Sequence, residues 1–109
     1  VKLSEAIDLL CEATAADGRS QRTINGYRRT LGYLVNFLGD MEVDSITVYD
    51  LRRYAADLHQ RDERYADHAH ARTVAGGLST FTVASYMRPL KRLFNFLHEG
   101  GLITDNPAK

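Results

Sequence analysis

STFTVASYMRPLKRLFNFLHE, residues 79–99, is the stretch whose reading decides the fold. Val83, Tyr86, Leu90, Leu93 and Leu97 advance by 3, 4, 3 and 4, with Phe94 beside them. That spacing places them on one face of a helix and predicts a core stripe. At 100° per residue, Ser85, Arg88, Arg92 and Asn95 lie opposite the stripe, with Lys91 on the flank. Gly100-Gly101 is expected to end the helix, and Leu102 and Ile103 to fold back on the core. Pro89 interrupts the pattern, because it lacks the N–H of an interior helical bond. Either the helix bends there, or a short segment precedes a helix that begins near Arg88.

The same step recurs earlier. Ile24, Tyr27, Leu31, Leu34 and Leu38 again advance by 3, 4, 3 and 4. They predict a helix from Ser20, a good N-cap, to Leu38, with Gly39 just past its end. Its opposite face carries Arg22, Asn25, Gly26, Arg29, Tyr33 and Asn36. Gly26 and Gly32 weaken such a helix, and both are candidates for close approach by a partner backbone. A first helix is predicted over about 4–16, with Ser4 as N-cap and Leu3, Ile7, Leu10, Cys11 and Thr14 facing inward. Asp17-Gly18 stops it. A further helix begins at Thr47, where Asp50 completes a capping box and Leu51, Tyr54, Ala55 and Leu58 face the core. Its arginines have acids at helical spacing, which marks it as scaffold. Residues 62–78 show no period and read as a loop that ends at Gly76-Gly77 and L78. Four helices and no strand pattern predict an all-α domain.

At 109 residues the chain is the size of one domain over 1–109, with a modest core. No apolar run is long enough for a membrane span, and a cytoplasmic location is expected. One cysteine, Cys11, excludes an internal disulfide and reads as a small core residue. His68, His70 and Asp67 lack the further ligands that a metal site needs, so neither metal nor cofactor is expected. No nucleophile–base set or paired carboxylates in an apolar setting is evident, which argues against an enzyme in its own right.

The net charge is zero, but the charge is segregated. Residues 20–38 hold Arg22, Arg28 and Arg29 and no acid, and residues 68–98 hold Arg72, Arg88, Lys91 and Arg92 and no acid. Residues 39–67 carry eight acids against four arginines. Such asymmetry speaks to partners better than the sum does. Two acid-free helix faces with arginine, asparagine and small residues suit a phosphate backbone. The bland alternative for each of these side chains is a solvated outer face. A helical protein–protein module without DNA binding is the second functional class, supported by Tyr33, Phe37, Phe81 and Phe96 off the core stripes.

The ordered set of features resembles the N-terminal core-binding domain of tyrosine recombinases and phage integrases. Ser20, Thr23, Tyr27, Leu31, Phe37, Leu38 and Gly39 carry the resemblance in the second helix, and Ile46-Thr47 with Leu51, Tyr54 and Leu58 in the third. Ser79, Thr82-Val83, Tyr86, Leu90, Leu93-Phe94, Phe96-Leu97, Gly101, Ile103 and Asn106-Pro107-Ala108 carry it at the end. The resemblance implies a four-helix, SAM-like orthogonal bundle that forms half of a C-shaped clamp on double-stranded DNA, with the second and fourth helices facing it. Arg22, Arg28, Arg29, Arg88, Lys91 and Arg92 would then meet phosphates, and Asn25, Ser85 and Asn95 sugars or base edges. The family's catalytic residues belong to a separate C-terminal domain, none of which is recognisable here. The implied partners are that catalytic domain of the parent chain and other recombinase protomers on DNA.

Overall fold

The computed structural model describes the backbone of residues 1–69 and 83–108, and the side chains of residues 1–60 and 83–108. Four α-helices follow in order: α1 (Leu3–Ala16), α2 (Gln21–Leu38), α3 (Val48–Ala69) and α4 (Val83–Glu99). A short 3-10 turn, Val43–Ser45, leads into α3. Among the described residues there is no strand, only an isolated bridge between Lys2 and Glu42. The fold is all-α, as the periodicity requires.

Both predicted stripes are buried. On α2, Ile24, Leu31 and Leu34 are sealed from solvent, while Tyr27 and Leu38 pack at the edge of the core. On α4, Leu90, Leu93, Phe94 and Leu97 are at most 1% exposed, and Val83 and Tyr86 pack against the same cluster. Leu3, Ile7, Leu10, Cys11 and Thr14 of α1 and Leu51, Tyr54 and Leu58 of α3 complete it. Burying each large aliphatic side chain contributes about 1.5–3 kcal/mol, so these stripes account for the packing of four helices into one core. The two buried threonines satisfy their hydroxyls within their own helices, Thr14 Oγ1 donating to the Leu10 carbonyl (2.7 Å) and Thr30 Oγ1 to that of Gly26 (2.9 Å).

The helix ends follow their local chemistry. Ser20 caps α2, its Oγ accepting from the Thr23 N–H at 3.3 Å. Thr47 and Asp50 form the reciprocal capping box of α3: the Thr47 N–H donates to Asp50 Oδ2 (2.9 Å) and the Asp50 N–H to Thr47 Oγ1 (3.2 Å). Both α1 and α4 stop on a left-handed glycine. At the end of α4, Gly101 has φ of 74°, its N–H bonds the His98 carbonyl, and the Leu102 N–H reaches back to the Leu97 carbonyl. This pairing satisfies carbonyls that the helix end would leave open. Gly18 does the same after α1, at φ of 80°.

Three expectations are corrected, and one of the two alternatives for Pro89 is excluded. Ser4 is not the N-cap of α1, which begins at Leu3 with Lys2 as its cap. Instead the Ser4 N–H (2.8 Å) and Oγ (2.7 Å) both donate to the Asp40 carboxylate, which ties the start of α1 to the turn after α2. The stretch from residue 62 is not all loop: α3 runs on to Ala69, because no glycine or proline interrupts good helix-forming residues there. Residues 70–78 lie outside the described residues. Pro89 neither separates two segments nor starts a helix, since α4 is already helical at Val83 and runs through it. The expected start at Ser79 lies outside the described residues. Of the pair after α4, Ile103 is buried, whereas Leu102 is 38% exposed.

Two predictions test this account. Gly101→Ala forces an L-residue into the left-handed region and is expected to lower stability by about 1–2 kcal/mol, measured by urea denaturation. Asp40 and Asp50 are both held below the usual carboxylate range, first by backbone N–H donors of Ser4 and Thr47. A depressed folded pKa gives stability that is present above the unfolded value of about 3.9 and lost as pH falls through the folded one. Unfolding midpoints should therefore drop as pH falls below about 4, and drop less steeply in Asp40→Asn.

Candidate nucleic-acid interface

All nine side chains singled out in the sequence are solvent-exposed: Arg22, Asn25, Arg28 and Arg29 on α2, and Ser85, Arg88, Lys91, Arg92 and Asn95 on α4. Neither helix dilutes them with acid until Glu99 in the last turn of α4. The two helices touch, and in one contact an exposed residue of α2 meets a core-stripe residue of α4. Tyr33, one turn on from Arg29, sets its ring edge-on to Tyr86, which lies between Ser85 and Arg88 in sequence; the centroids are 5.3 Å apart and the planes 73°. An edge-to-face pair of this kind contributes about 0.5–1.5 kcal/mol beyond its burial and helps to hold the two helices against each other.

The basic residues differ in their surroundings. Among the described residues, Arg22, Arg29, Arg88, Lys91 and Arg92 form no ion pair. Arg28 does. Its Nη1 donates to Asp8 Oδ1 of α1 at 2.7 Å, and this bond is the leading cause of an upward shift in the Arg28 pKa. The polar side chains are partly engaged too. Asn25 Oδ1 accepts from Gln21 Nε2 (3.0 Å), and Asn95 Oδ1 accepts from Asn106 Nδ2 (2.7 Å). Each oxygen thus accepts one bond within the domain.

The Asn106 contact belongs to a tail that returns along α4. Asn106 Oδ1 accepts from the Ala108 N–H (2.9 Å), which turns the chain, and Ala108 packs against the core cluster. Pro107 and Ala108 then border a shallow apolar groove with Val48, Leu51, Ala55, Met87 and Leu90. Neither Gly26 nor Gly32 has a neighbour among the described residues that a Cβ would meet within 4 Å. The two α3 arginines with described side chains have local partners: Arg53 pairs with Asp50, and Arg52 lies 5.7 Å over the Tyr49 ring.

The described aromatic residues set aside for a protein partner each make a contact inside the domain, although Tyr33 and Phe37 stay 38% and 37% exposed. Tyr33 contacts Tyr86, Phe37 contacts Tyr54 with centroids 5.6 Å apart, and Phe96 packs against the core cluster. Phe81 lies outside the described residues. Cys11 is a buried core residue, and burial pushes its thiol pKa up, away from the reactive thiolate. No group of ligating side chains suited to a metal occurs among the described residues, and the side chains of Asp67, His68 and His70 are not among them.

Residues 13–81 match the family described as phage integrase, N-terminal SAM-like domain. The chain belongs to this family. The family match ends just before α4, so the helix on which the fold was first read is not part of it. Among curated proteins, the chain is 34% identical over 89 residues to the tyrosine recombinase XerC of Alcanivorax borkumensis, covering 82% of this chain and 24% of that protein. It is 28% identical over 106 residues to the tyrosine recombinase XerC of Chromobacterium violaceum, covering 97% of this chain and 30% of that protein. The chain therefore spans about a quarter to a third of the length of these relatives, and the second match extends across α4. No solved structure matches the chain. Among the described residues, no helix is long and apolar enough to cross a membrane.

The sequence missed the Asp8–Arg28 pair, though a signal for it was present. Two neighbouring helices joined by a short turn at Gly18 can bring together residues equidistant from it, and Asp8 and Arg28 each lie ten residues from Gly18. A double-mutant cycle tests the aromatic join between α2 and α4. Tyr33→Ala and Tyr86→Ala should couple by about 0.5–1.5 kcal/mol in urea denaturation, whereas either paired with a distant substitution should be additive.

Proposed function

We propose that this chain is a DNA-binding domain of a site-specific tyrosine recombinase, in which α2 and α4 form one half of a clamp on the recombination site. The observation that carries the proposal is the pair of neighbouring helices that each carry exposed cations with no ion pair among the described residues, Arg22 and Arg29 on α2 and Arg88, Lys91 and Arg92 on α4. Arginine and lysine on helix surfaces neutralise phosphates and set register, while hydrogen bonds to base edges carry sequence information. In this reading Asn25, Asn95 and Ser85, exposed on the same helices, reach sugars or bases. The named function of the two relatives, tyrosine recombinase, supports the same assignment.

In this proposal strand breakage and rejoining belong to a catalytic domain of the parent protein, and the present domain supplies grip and placement. Its partners are double-stranded DNA, that catalytic domain and neighbouring recombinase protomers. Half a clamp binds weakly by itself, since linkage to the other half raises the effective concentration of each on the same duplex. A domain that works in this way acts in the cytoplasm, where the bacterial chromosome lies.

A fluorescence anisotropy titration on duplex DNA across a salt series tests the proposal. Five free cations predict a log–log slope of up to about −4.5, with each phosphate contact adding about −0.9. Charge reversal at both Arg29 and Arg92 should abolish measurable binding at moderate salt while leaving the helical circular dichroism unchanged. Binding that is insensitive to salt, or that survives the double reversal, rejects DNA recognition by these faces and favours a protein-binding module.

A further inference from the structure

On α2, Arg28 and Arg29 are neighbours in sequence and differ completely in setting. Arg29 projects near the middle of the polar face, in line with Arg22, which lies seven residues earlier. Arg28, turned by 100° toward α1, is bonded to Asp8 at 2.7 Å. Glu12, one turn beyond Asp8 on α1, adds a second negative charge to the field at Arg28. The Arg28 and Asp8 side chains are 50% and 60% exposed, so the pair sits at the surface, where a phosphate could compete for the guanidinium. It is also the only ion pair among the described residues that joins two of the helices.

We propose that Asp8 withholds Arg28 from DNA and so sets the α1-side edge of the phosphate-binding face on α2. In effect Asp8 is an internal competitor for one cation. It subtracts one phosphate contact from the footprint and repels a backbone that drifts toward α1. Arg29, with no acid beside it, is left to make the contact. The consequence is a domain whose non-specific grip is deliberately one contact weaker than its arginine content allows, with the lateral position of the duplex across α2 more sharply defined. This inference rests on the DNA-binding assignment above and extends it to which arginines make the contacts.

The test is a charge-matched cycle on the 109-residue chain. Wild type, Asp8→Asn, Arg28→Gln and the double variant are titrated with a fluorescein-labelled random-sequence duplex between about 20 and 150 mM salt, a window where each contact changes affinity measurably. Circular dichroism verifies that each variant is folded. Asp8→Asn should steepen the salt slope by about 0.9 and tighten binding about eightfold at 0.1 M salt, the gain of one phosphate contact. Arg28→Gln in the wild-type background should leave the slope unchanged, and the double variant should return to the wild-type slope. A fall of about one in the slope of Arg28→Gln alone means that Arg28 already contacts phosphate, and overturns the proposal. An Asp8→Asn gain that persists in the double variant also overturns it, because the gain then does not pass through Arg28. A wild-type chain with no salt-dependent binding rejects the DNA-binding assignment itself, and this inference with it.

Discussion

Burial of the α4 stripe is the constraint on which the remainder depends. Leu90, Leu93, Phe94 and Leu97 lose almost all their exposure, and α4 packs against α1, α2 and α3. Together these side chains remove enough apolar surface from water to contribute several kcal/mol, which is comparable with the net stability of a domain this size. With that stripe turned inward, the helix has no freedom over what it shows outside. Arg88, Lys91, Arg92 and Asn95 are exposed because the period of the helix leaves them no inward position. The interior packing and the outer charge pattern of α4 are thus one decision seen from two sides.

The same coupling acts on α2, where Ile24, Leu31 and Leu34 face inward and Arg22 and Arg29 face out. Two such helices do not by themselves make a joint surface, since their relative rotation must also be fixed. The Tyr33–Tyr86 contact and the shared core do this. The bonds of Ser4 to Asp40 add a second restraint by fastening the start of α1 to the turn that follows α2. Local helix signals, turn chemistry and core burial all agree, which is the consistency expected of a sequence that specifies one fold. Pro89 is the exception. It removes a backbone donor within α4, and the helix persists because Leu90, Leu93, Phe94 and Leu97 beyond it are anchored in the core.

Charge shows most clearly what a linear reading leaves out. Counting acids and bases by segment marks α2 and α4 as basic and α1 as acidic. It does not reveal that one of the α2 arginines is paired across the helix boundary, because that depends on how α1 and α2 lie side by side. Arg28 and Arg29 have the same chemistry and neighbouring positions, and only a partner twenty residues away distinguishes them. Asn95 is similar: its place opposite the core stripe follows from spacing, while its bond to Asn106 arises because the chain doubles back after Gly101.

The sequence by itself determined the four helices, the two core stripes, the caps at Ser20 and Thr47 and the glycine stops, since each rests on contacts within a few residues or on a period of 3.6. It also determined which side chains would be outside. The extent of α3 is local too, since helix propensity carries on where amphipathicity fades, although the visible period does not reveal it. Two things were decided only by the tertiary structure. Ser4 was drawn from a capping role to Asp40 by a neighbouring turn. The effective charge of the basic face depends on Asp8, which packing of α1 on α2 brings to Arg28. Local chemistry sets what each residue can do, and long-range packing sets which partner it meets first.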